Sequence, residues 1–374
     1  MKVFVTDANY KHALGAIRSL GGHGFEVVAG SQFANAQGFY SKYTTEKVVY
    51  PNPKDEQKFV DFMLNYVKNN QIEALLPIGY ATTVALSKNK EKFSPYVKIP
   101  VTDWANMEKA SNKDQTMALA DSIGIEIPKS YSSISEIKNY PVVVKGIKES
   151  GHIQYVNSVQ ELTKIDTKQA IIQEYIQGEG YGFFALFDHG QPLAYFMHQR
   201  RREYPITGGA STSAVSIYDE KLKETGLKLL KALNWHGIAM VEFKKDAKSG
   251  IFKLMEINPK FWGSLDLAIA SGVDFPYLAV KMALSEPFKS VENYQIGLKY
   301  RWLWPDDTVR LWAKPSDIGV YLVDFFNGTK GNIWLSDLRP NLKQLVQTCY
   351  TIYSHLKKRD LKYPHGKPEV KHES

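Results

Sequence analysis

The sequence has a single cysteine, Cys349, among 374 residues, so it cannot form an internal disulfide bond. It also lacks any unbroken apolar run of about 18–20 residues, the length that a membrane-spanning helix requires. Asp7 stands where a secretory signal peptide needs an apolar core, and no G-x-G-x-x-G dinucleotide motif follows the first apolar run. We therefore expect a protein of the reducing cytoplasm without a transmembrane segment, and the sequence does not support a dinucleotide-binding role.

Acidic residues are fewer than basic ones, since 39 Asp and Glu stand against 47 Lys and Arg, and the net charge is +8. Such an excess suits nucleic acid, an anionic membrane surface or an anionic small substrate. The charges are scattered and no nucleic-acid-binding motif accompanies them, so we expect no nucleic-acid partner. The basic segment from Lys357 to Lys371 lacks a packing pattern and is interpreted as a solvated tail.

Alternating apolar runs and helical spacings organise the first 105 residues. This pattern predicts a small doubly wound parallel sheet of the α/β class. From residue 106 strands and helices mix in the α+β manner, which predicts a second domain over 106–288. Residues 289–374 form an appendage that closes in a helix over 341–356 and the basic tail.

The closing helix is predicted from apolar residues at helical spacing: Leu342, Leu345, Val346, Tyr350, Ile352, Tyr353 and Leu356. We expect this apolar face to dock onto the body of the protein. A basic helix lying on a membrane surface is the alternative, and it would give the protein a peripheral membrane contact.

Three residues with oxygen ligands for a metal are predicted to meet on one hairpin. In a strand over 252–258, Glu256 and Asn258 share one face, and a turn near residues 248–249 places Glu242 opposite Leu254 or Glu256. Two adjacent carboxylates repel each other unless a cation neutralises them, and an all-oxygen set suits Mg²⁺ better than zinc. An exposed hairpin face with solvated acids is the alternative, but Glu256 lies between Met255 and Ile257, which favours the metal site.

Two lysines stand where phosphates could bind. Lys145 ends an apolar strand, and Lys113 opens a helix whose first N–H groups favour anions. A lysine in either setting, taken alone, is more often a surface charge. The strand end over 173–176 could present backbone groups to a purine, although by itself it is only a strand end.

A basic and glycine-rich segment follows over residues 200–212. Its glycine pair, Gly208 and Gly209, could fold N–H groups around an anion, and Arg200 or Arg202 could hold a carboxylate or phosphoryl group. A mobile polar loop is an equally good interpretation of this segment.

The order of these signals resembles the ATP-grasp superfamily, and most of all its carboxylate–amine ligases related to carbamoyl-phosphate synthase. The motifs are Lys113, the strand ending at Lys145, residues 173–178, the strand around Glu242, and Met255-Glu-Ile-Asn-Pro259. The resemblance covers residues 1 to about 285. It implies a pre-ATP-grasp domain over 1–105 and an ATP-grasp domain over 106–288, divided into a small lobe (106–178) and a large lobe (179–288).

The resemblance also implies a role for each matching residue. Lys113 and Lys145 would contact the ATP phosphates, and Glu242, Glu256 and Asn258 would bind Mg²⁺, or alternatively Mn²⁺. Many relatives carry arginine two residues after the metal-binding asparagine, where this chain has Lys260. The remaining implied contacts are those of the adenine and ribose (Gln173, Glu174, Tyr175, Ile176, Glu179) and of the transferring phosphoryl group and acceptor (Arg200, Arg202, Gly208, Gly209, Lys260).

The implied activity is ATP- and Mg²⁺-dependent formation of an amide between a small carboxylate and an amine through an acyl phosphate. The alternatives are carbamoyl-phosphate-type synthesis, phosphorylation of a carboxylate, and a nucleotide-binding protein that has lost catalysis. No serine–histidine or cysteine–histidine pair suggests covalent catalysis. A homo-oligomer is expected.

Overall fold

The computed structural model describes residues 1–147, 153–358, 361–362 and 367–369. The chain opens with a parallel four-stranded sheet in the order β3-β2-β1-β4. Alternate side chains of its first strand enter two different cores, Val3 and Val5 on one face and Phe4 on the other. This is the doubly wound arrangement predicted for the region. Its elements are β1 (Lys2–Val5), α1 (Lys11–Gly22), β2 (Glu26–Ser31), β3 (Thr44–Val49), α2 (Glu56–Asn69), β4 (Ala74–Leu76), α3 (Tyr80–Lys88) and α4 (Lys90–Phe93).

A second, antiparallel sheet follows in the order β5-β8-β6-β7. Val142, Val144, Val156 and Leu162 form its small core. The helix before it begins at Lys113, because the Asn112 side chain accepts hydrogen bonds from the first free N–H groups. The elements of this region are α5 (Trp104–Ser111), α6 (Lys113–Ser122), β5 (Ser130–Tyr131), β6 (Val142–Gly146), β7 (Ile153–Val156), α7 (Val159–Leu162) and β8 (Ala170–Glu174).

The third sheet has seven strands in the order β13-β12-β9-β10-β11-β14-β15. Along β9 the side chains alternate between two cores, with Phe183 on one face and Phe184 on the other. Its elements are β9 (Gly178–Asp188), β10 (Gln191–Tyr204), β11 (Ala210–Ser216), α8 (Glu220–Ala232), β12 (Gly237–Asp246), β13 (Phe252–Asn258), α9 (Leu265–Ala270), α10 (Phe275–Ala283), β14 (Lys299–Arg301) and β15 (Lys330–Gly331).

The segment over 200–212, for which a loop was one interpretation, is mostly strand. β10 continues through its three arginines to Tyr204, and β11 begins at Ala210, so only residues 205–209 connect the two strands. The arginines can occupy a strand because carboxylates neutralise each of them. The strand is irregular here, since its register with β11 shifts on both sides of Arg202.

The appendage adds three helices, α11 (Thr308–Ala313), α12 (Ile318–Phe326) and α13 (Leu338–Lys358). The predicted closing helix is confirmed, but the expected docking of its apolar face is wrong. α13 buries Asn341, Gln344 and Thr348 and exposes most of its large apolar side chains. The buried side is polar because it meets a polar partner, Arg18 of α1, which donates to Asn341. Among the helices that the structure describes, none has both the length and the apolar character needed to cross a membrane.

Candidate active site

A cavity of about 320 Å³ lies between the second and third sheets. Strands β6, β7 and β8 form one wall, and β10, β12, β13 and residues 208–210 form the other. Nine of the residues singled out from the sequence line it: Lys145, Glu174, Tyr175, Ile176, Arg200, Gly208, Gly209, Glu242 and Glu256.

The hairpin of β12 and β13 brings the two carboxylates together. Glu242 pairs directly with Glu256 across the strands, one of the two registers predicted from the sequence. The Asn258 side chain lies beside them, and its Nδ2 donates to Glu242 Oε1 at 2.9 Å and to Glu256 Oε1 at 3.1 Å. The three residues therefore converge, as the shared strand face predicts.

Four cationic side chains surround this group. Arg200 forms an ion pair with Glu242, and Lys113 Nζ lies 3.4 Å from Glu256 Oε2. Lys260 Nζ donates to Asn258 Oδ1 at 3.3 Å. Lys145 lines the cavity. Arg200 also lies 3.6 Å from Glu203, so these four cations face three carboxylates, which leaves one positive charge for an anionic ligand.

Burial and these neighbours separate the pKa values of the two acids. Burial raises the pKa of Glu242, and the nearby Glu256 charge adds to this effect against the opposing charge of Arg200. Burial also raises the pKa of Glu256, but Lys113, the Asn258 hydrogen bond and Lys145 outweigh it and hold that pKa below its ordinary value. Burial lowers the pKa of Lys145 to about 8, although the Glu256 charge opposes the shift.

The donor set fits Mg²⁺ chemically. Glu242, Glu256 and Asn258 offer only oxygen ligands, and both carboxylates approach one common atom, the Asn258 amide nitrogen. That N–H₂ group supplies partial positive charge between the acids, and rotation of the amide would turn its oxygen to the same place. Hard oxygen ligands suit Mg²⁺ and also Mn²⁺.

The strand end over 173–176 forms a side wall of the cavity. Lys244 Nζ donates to the Ile176 carbonyl at 3.2 Å and lies 5.3 Å from the centre of the Tyr175 ring. Glu174 forms an ion pair with Lys253 at 2.6 Å. Gln173 lies outside the lining and is buried, with its Oε1 atom lacking a hydrogen-bond partner.

The connection over 205–209 needs its glycine pair. Gly208 has a φ of +131°, and a Cβ atom on Gly209 would lie 2.3 Å from the Tyr204 carbonyl oxygen. The Gly208 N–H donates to the Pro205 carbonyl at 3.1 Å, and the Gly209 N–H donates to Glu203 Oε2 at 3.2 Å. Both N–H groups therefore have partners within the protein. The role of the glycines is to let the backbone lie close to the cavity.

The structure distinguishes between the two candidate arginines. Arg200 lines the cavity, whereas Arg202 is outside the lining and pairs with Asp307 and Asp324 of the appendage. Glu179 also lies outside the lining and accepts from Tyr181 and Gln199. The resemblance implies a loop over the phosphates at residues 146–151, of which 148–151 lie outside the described residues.

Several lining residues were missed in the sequence: Val143, Ile153, Tyr155, Glu203, Ala210, Phe243, Lys244 and Met255. Lys244 could have been found, because it stands two residues after Glu242 and so shares its strand face. Tyr155 could not, because strand β7 has no clear alternation and was not predicted.

Comparison with known proteins identifies several similarities. Residues 166–304 match the family described as ATP-grasp in the biosynthetic pathway with Ter operon. D-alanine–D-alanine ligase of Fusobacterium nucleatum is 39% identical over 72 residues, which cover 18% of this chain and 25% of the ligase. D-aspartate ligase of Enterococcus faecium is 21% identical over 262 residues, which cover 59% of this chain and 61% of the ligase. N5-carboxyaminoimidazole synthetase of Staphylococcus aureus, solved with ADP, has a TM-score of 0.62 at 14% identity, with 80% of each chain covered.

The chain thus spans 25% and 61% of the lengths of these two curated relatives. At 14% identity, the likeness to the solved synthetase concerns the fold. The fold and the family match agree with the resemblance seen in the sequence motifs.

Proposed function

We propose that this chain, an ATP-grasp protein, is an ATP- and Mg²⁺-dependent ligase that joins a small-molecule carboxylate to an amine. The observation that carries the proposal is the pairing of Glu242 with Glu256 in the cavity wall, where the four cationic side chains described above surround the two carboxylates. A pair of carboxylates within an excess of positive charge suits a nucleotide triphosphate together with its divalent cation. ATP and reducing conditions occur together in the cytoplasm, where we propose that the protein acts.

The nucleotide would lie along the cavity from the strand end to the hairpin. Tyr175 and the backbone at Ile176 offer an apolar surface and peptide groups to the adenine. Lys145 and Lys113 lie nearer the carboxylates, where the phosphates would need cations. Glu179 is proposed for the ribose only through the resemblance, because it does not line the cavity.

The chemistry needs positioning and charge neutralisation. A carboxylate oxygen of the first substrate attacks the γ-phosphorus of ATP, the bond to the β-bridging oxygen breaks, and ADP leaves. The amine then attacks the acyl phosphate carbon, loses a proton, and expels phosphate to give the amide. Mg²⁺ held by Glu242, Glu256 and Asn258 would neutralise charge on the transferring phosphates.

Arg200 is the arginine that we propose for this reaction. Its guanidinium lies at the cavity wall and contacts the Gly209 carbonyl at 3.0 Å. Its Nε is buried without a hydrogen-bond partner, so one donor is available to a ligand oxygen. Donors that are already in place when charge develops on the phosphoryl group lower the barrier to transfer.

The test is phosphate release from ATP with pooled carboxylates and amines, amino acids among them because both curated relatives are named for them. A ligase releases phosphate only when both a carboxylate and an amine are present. Release that needs the carboxylate alone would indicate a kinase, and no release in any pool would contradict catalysis.

Glu256→Gln connects this activity to the site. The change preserves shape but removes one of the two carboxylates, so we expect turnover to fall roughly a thousandfold. Glu224→Gln, an exposed carboxylate of α8, is the matched control. Near-normal turnover of Glu256→Gln in saturating Mg²⁺ would show that the metal assignment is wrong.

A further inference from the structure

Helix α12 turns its apolar side chains to water. Tyr321 and Asp324 are the buried residues of this nine-residue helix. Phe325 and Phe326 are 71% and 81% exposed, although they are among the most apolar side chains. The exposed apolar residues of α12 are Ile318, Val320, Leu322, Val323, Phe325 and Phe326.

Helix α13 has the same inverted arrangement over 21 residues. Its exposed apolar residues recur every three or four positions and so form one stripe: Leu338, Leu342, Val346, Tyr350, Tyr353 and Leu356. The opposite stripe is buried and mostly polar: Pro340, Asn341, Gln344, Thr348 and Ile352. We call the two exposed sets together the α12–α13 surface.

Hydrogen bonds to the body of the protein fix this orientation. Arg18 Nη2 donates to Asn341 Oδ1 at 3.2 Å, and Gln344 Nε2 donates to Gln37 Oε1 at 2.7 Å. Asp324 of α12 pairs with Arg201 at 2.9 Å. Because rotation of either helix would break buried polar contacts, the apolar side chains remain outward.

Both helices belong to one part of the molecule. α13 packs against residues 303–313, and Tyr321 of α12 donates to the Asp307 carbonyl in the same segment at 2.9 Å. Each helix exposes six large apolar side chains, and such clusters mark interaction sites, whereas single exposed side chains are ordinary.

The charges around the α12–α13 surface identify the kind of partner. α13 contains no acidic residue, and the one acid of α12, Asp324, is buried in ion pairs. The exposed charged residues of α13 are the cations Arg339, Lys357 and Lys358. Apolar and aromatic side chains combined with cations and no exposed carboxylate are the chemistry of helices that lie on anionic bilayers.

We propose that the α12–α13 surface binds the surface of an anionic lipid bilayer, with the helices in the plane of the interface. A symmetric contact with a second copy is the alternative occupant. It would bring the same cations of both copies together with no carboxylate of these helices to neutralise them. The proposal concerns attachment and does not depend on the ligase activity.

The single cysteine provides a direct probe, because Cys349 is exposed on α13. The full chain is labelled there with an environment-sensitive fluorophore and mixed with vesicles of phosphatidylcholine alone or with 30% phosphatidylglycerol. We expect a blue shift and flotation with the phosphatidylglycerol vesicles, and weaker binding at high salt or with phosphatidylcholine alone.

Variants identify the surface. Phe325→Ser/Phe326→Ser in α12 and Val346→Ser/Tyr353→Ser in α13 should each lower the vesicle partition coefficient at least tenfold. Ile296→Ser, at an apolar side chain 60% exposed outside these helices, is the matched control and should leave it unchanged. Binding of a non-hydrolysable ATP analogue should be retained by all variants, which confirms that they are folded.

Three results would overturn the proposal. The first is the absence of flotation and of a spectral shift with phosphatidylglycerol vesicles. The second is binding that both double variants leave undiminished. The third is a lipid-free dimer, seen by light scattering, that shields the Cys349 label and disappears in the double variants, because it would assign the surface to a second copy.

Discussion

Two ion clusters meet along strand β10, and they differ in charge balance. On one side, Arg202 donates to Asp307 at 2.9 and 2.8 Å and to Asp324 at 2.5 Å, and Arg201 completes the set. Two arginines face two aspartates, so the charge is balanced. On the cavity side four cations (Arg200, Lys113, Lys145, Lys260) face three acids (Glu242, Glu256, Glu203), and Arg200 Nε has no partner.

The difference separates a structural cluster from a functional one. A buried cluster whose charges and donors are all used holds two parts of the chain together and has no capacity for a ligand. A buried cluster with excess positive charge and an unused donor has lost hydration without compensation. That cost is offset when an anion binds, which is why we assign the nucleotide to the cavity cluster.

The largest effect should come from breaking the balanced cluster. Arg202→Met removes the cation shared by Asp307 and Asp324 and leaves their charges in the interior, so the free energy of unfolding should fall by about 3–5 kcal/mol. Urea unfolding measures this change. Below the transition, affinity for an ATP analogue should be unchanged, because Arg202 does not line the cavity.

Arg339→Met, an exposed arginine of α13, is the matched control and should change stability by less than about 0.5 kcal/mol. If Arg202→Met were no more destabilising than Arg339→Met, the balanced cluster would not be a structural one. A loss of nucleotide affinity in a fully folded Arg202→Met protein would instead restore Arg202 to the site.

The two clusters also show which features the sequence could predict. The Glu242–Glu256 pair could be predicted, because the register of an antiparallel hairpin determines which residues pair and alternation determines which face they share. The choice between Arg200 and Arg202 could not be predicted. In a regular strand, residues two apart share a face, but the register shifts around Arg202 direct the two guanidinium groups to different clusters.

The orientation of α13 escaped prediction for a different reason. Helical spacing of apolar residues identifies an apolar face, but the pattern is the same whether that face meets the protein, a membrane or water. The orientation is decided by Arg18 on the body of the protein, which donates to Asp337 and Asn341. Arg18 is 319 and 323 positions away from these two residues in the chain, so the contact cannot be seen in the local pattern.

A second effect should appear at Lys145, in the unbalanced cluster. Its pKa of about 8 means that the free protein loses this charge as pH rises through 8. The dissociation constant for a non-hydrolysable ATP analogue should therefore be flat from pH 7 to 7.5 and then rise toward tenfold per pH unit above 8. Calorimetric titration across pH 7–9.5 measures this profile.

Two substitutions at Lys145 sharpen the pH profile. Lys145→Arg keeps the charge throughout this range, because arginine does not deprotonate, and should remove the rise above pH 8. Lys145→Ala should weaken binding about 10- to 100-fold at pH 7 with no rise of its own. Unchanged affinity of Lys145→Ala would show that this lysine contacts no phosphate.

The smallest effect should come from Lys260, at the margin of the unbalanced cluster. Lys260 does not line the cavity between the second and third sheets, and it contacts the site through Asn258, whose Oδ1 accepts from its Nζ at 3.3 Å. Lys260→Met removes this hydrogen bond and a nearby charge, which should lower kcat about tenfold with little change in KM for ATP, because the binding groups stay in place.

Lys260→Arg is the informative second variant. Arginine is the residue that many relatives carry here, so a site built like theirs should retain or increase kcat. Steady-state kinetics of the three proteins decide the matter. A silent Lys260→Met would mean that Asn258 needs no support from this position. A Lys260→Arg enzyme that lost activity would show that the space beside Asn258 has become fitted to lysine, and that the role of the relatives' arginine does not extend to this chain.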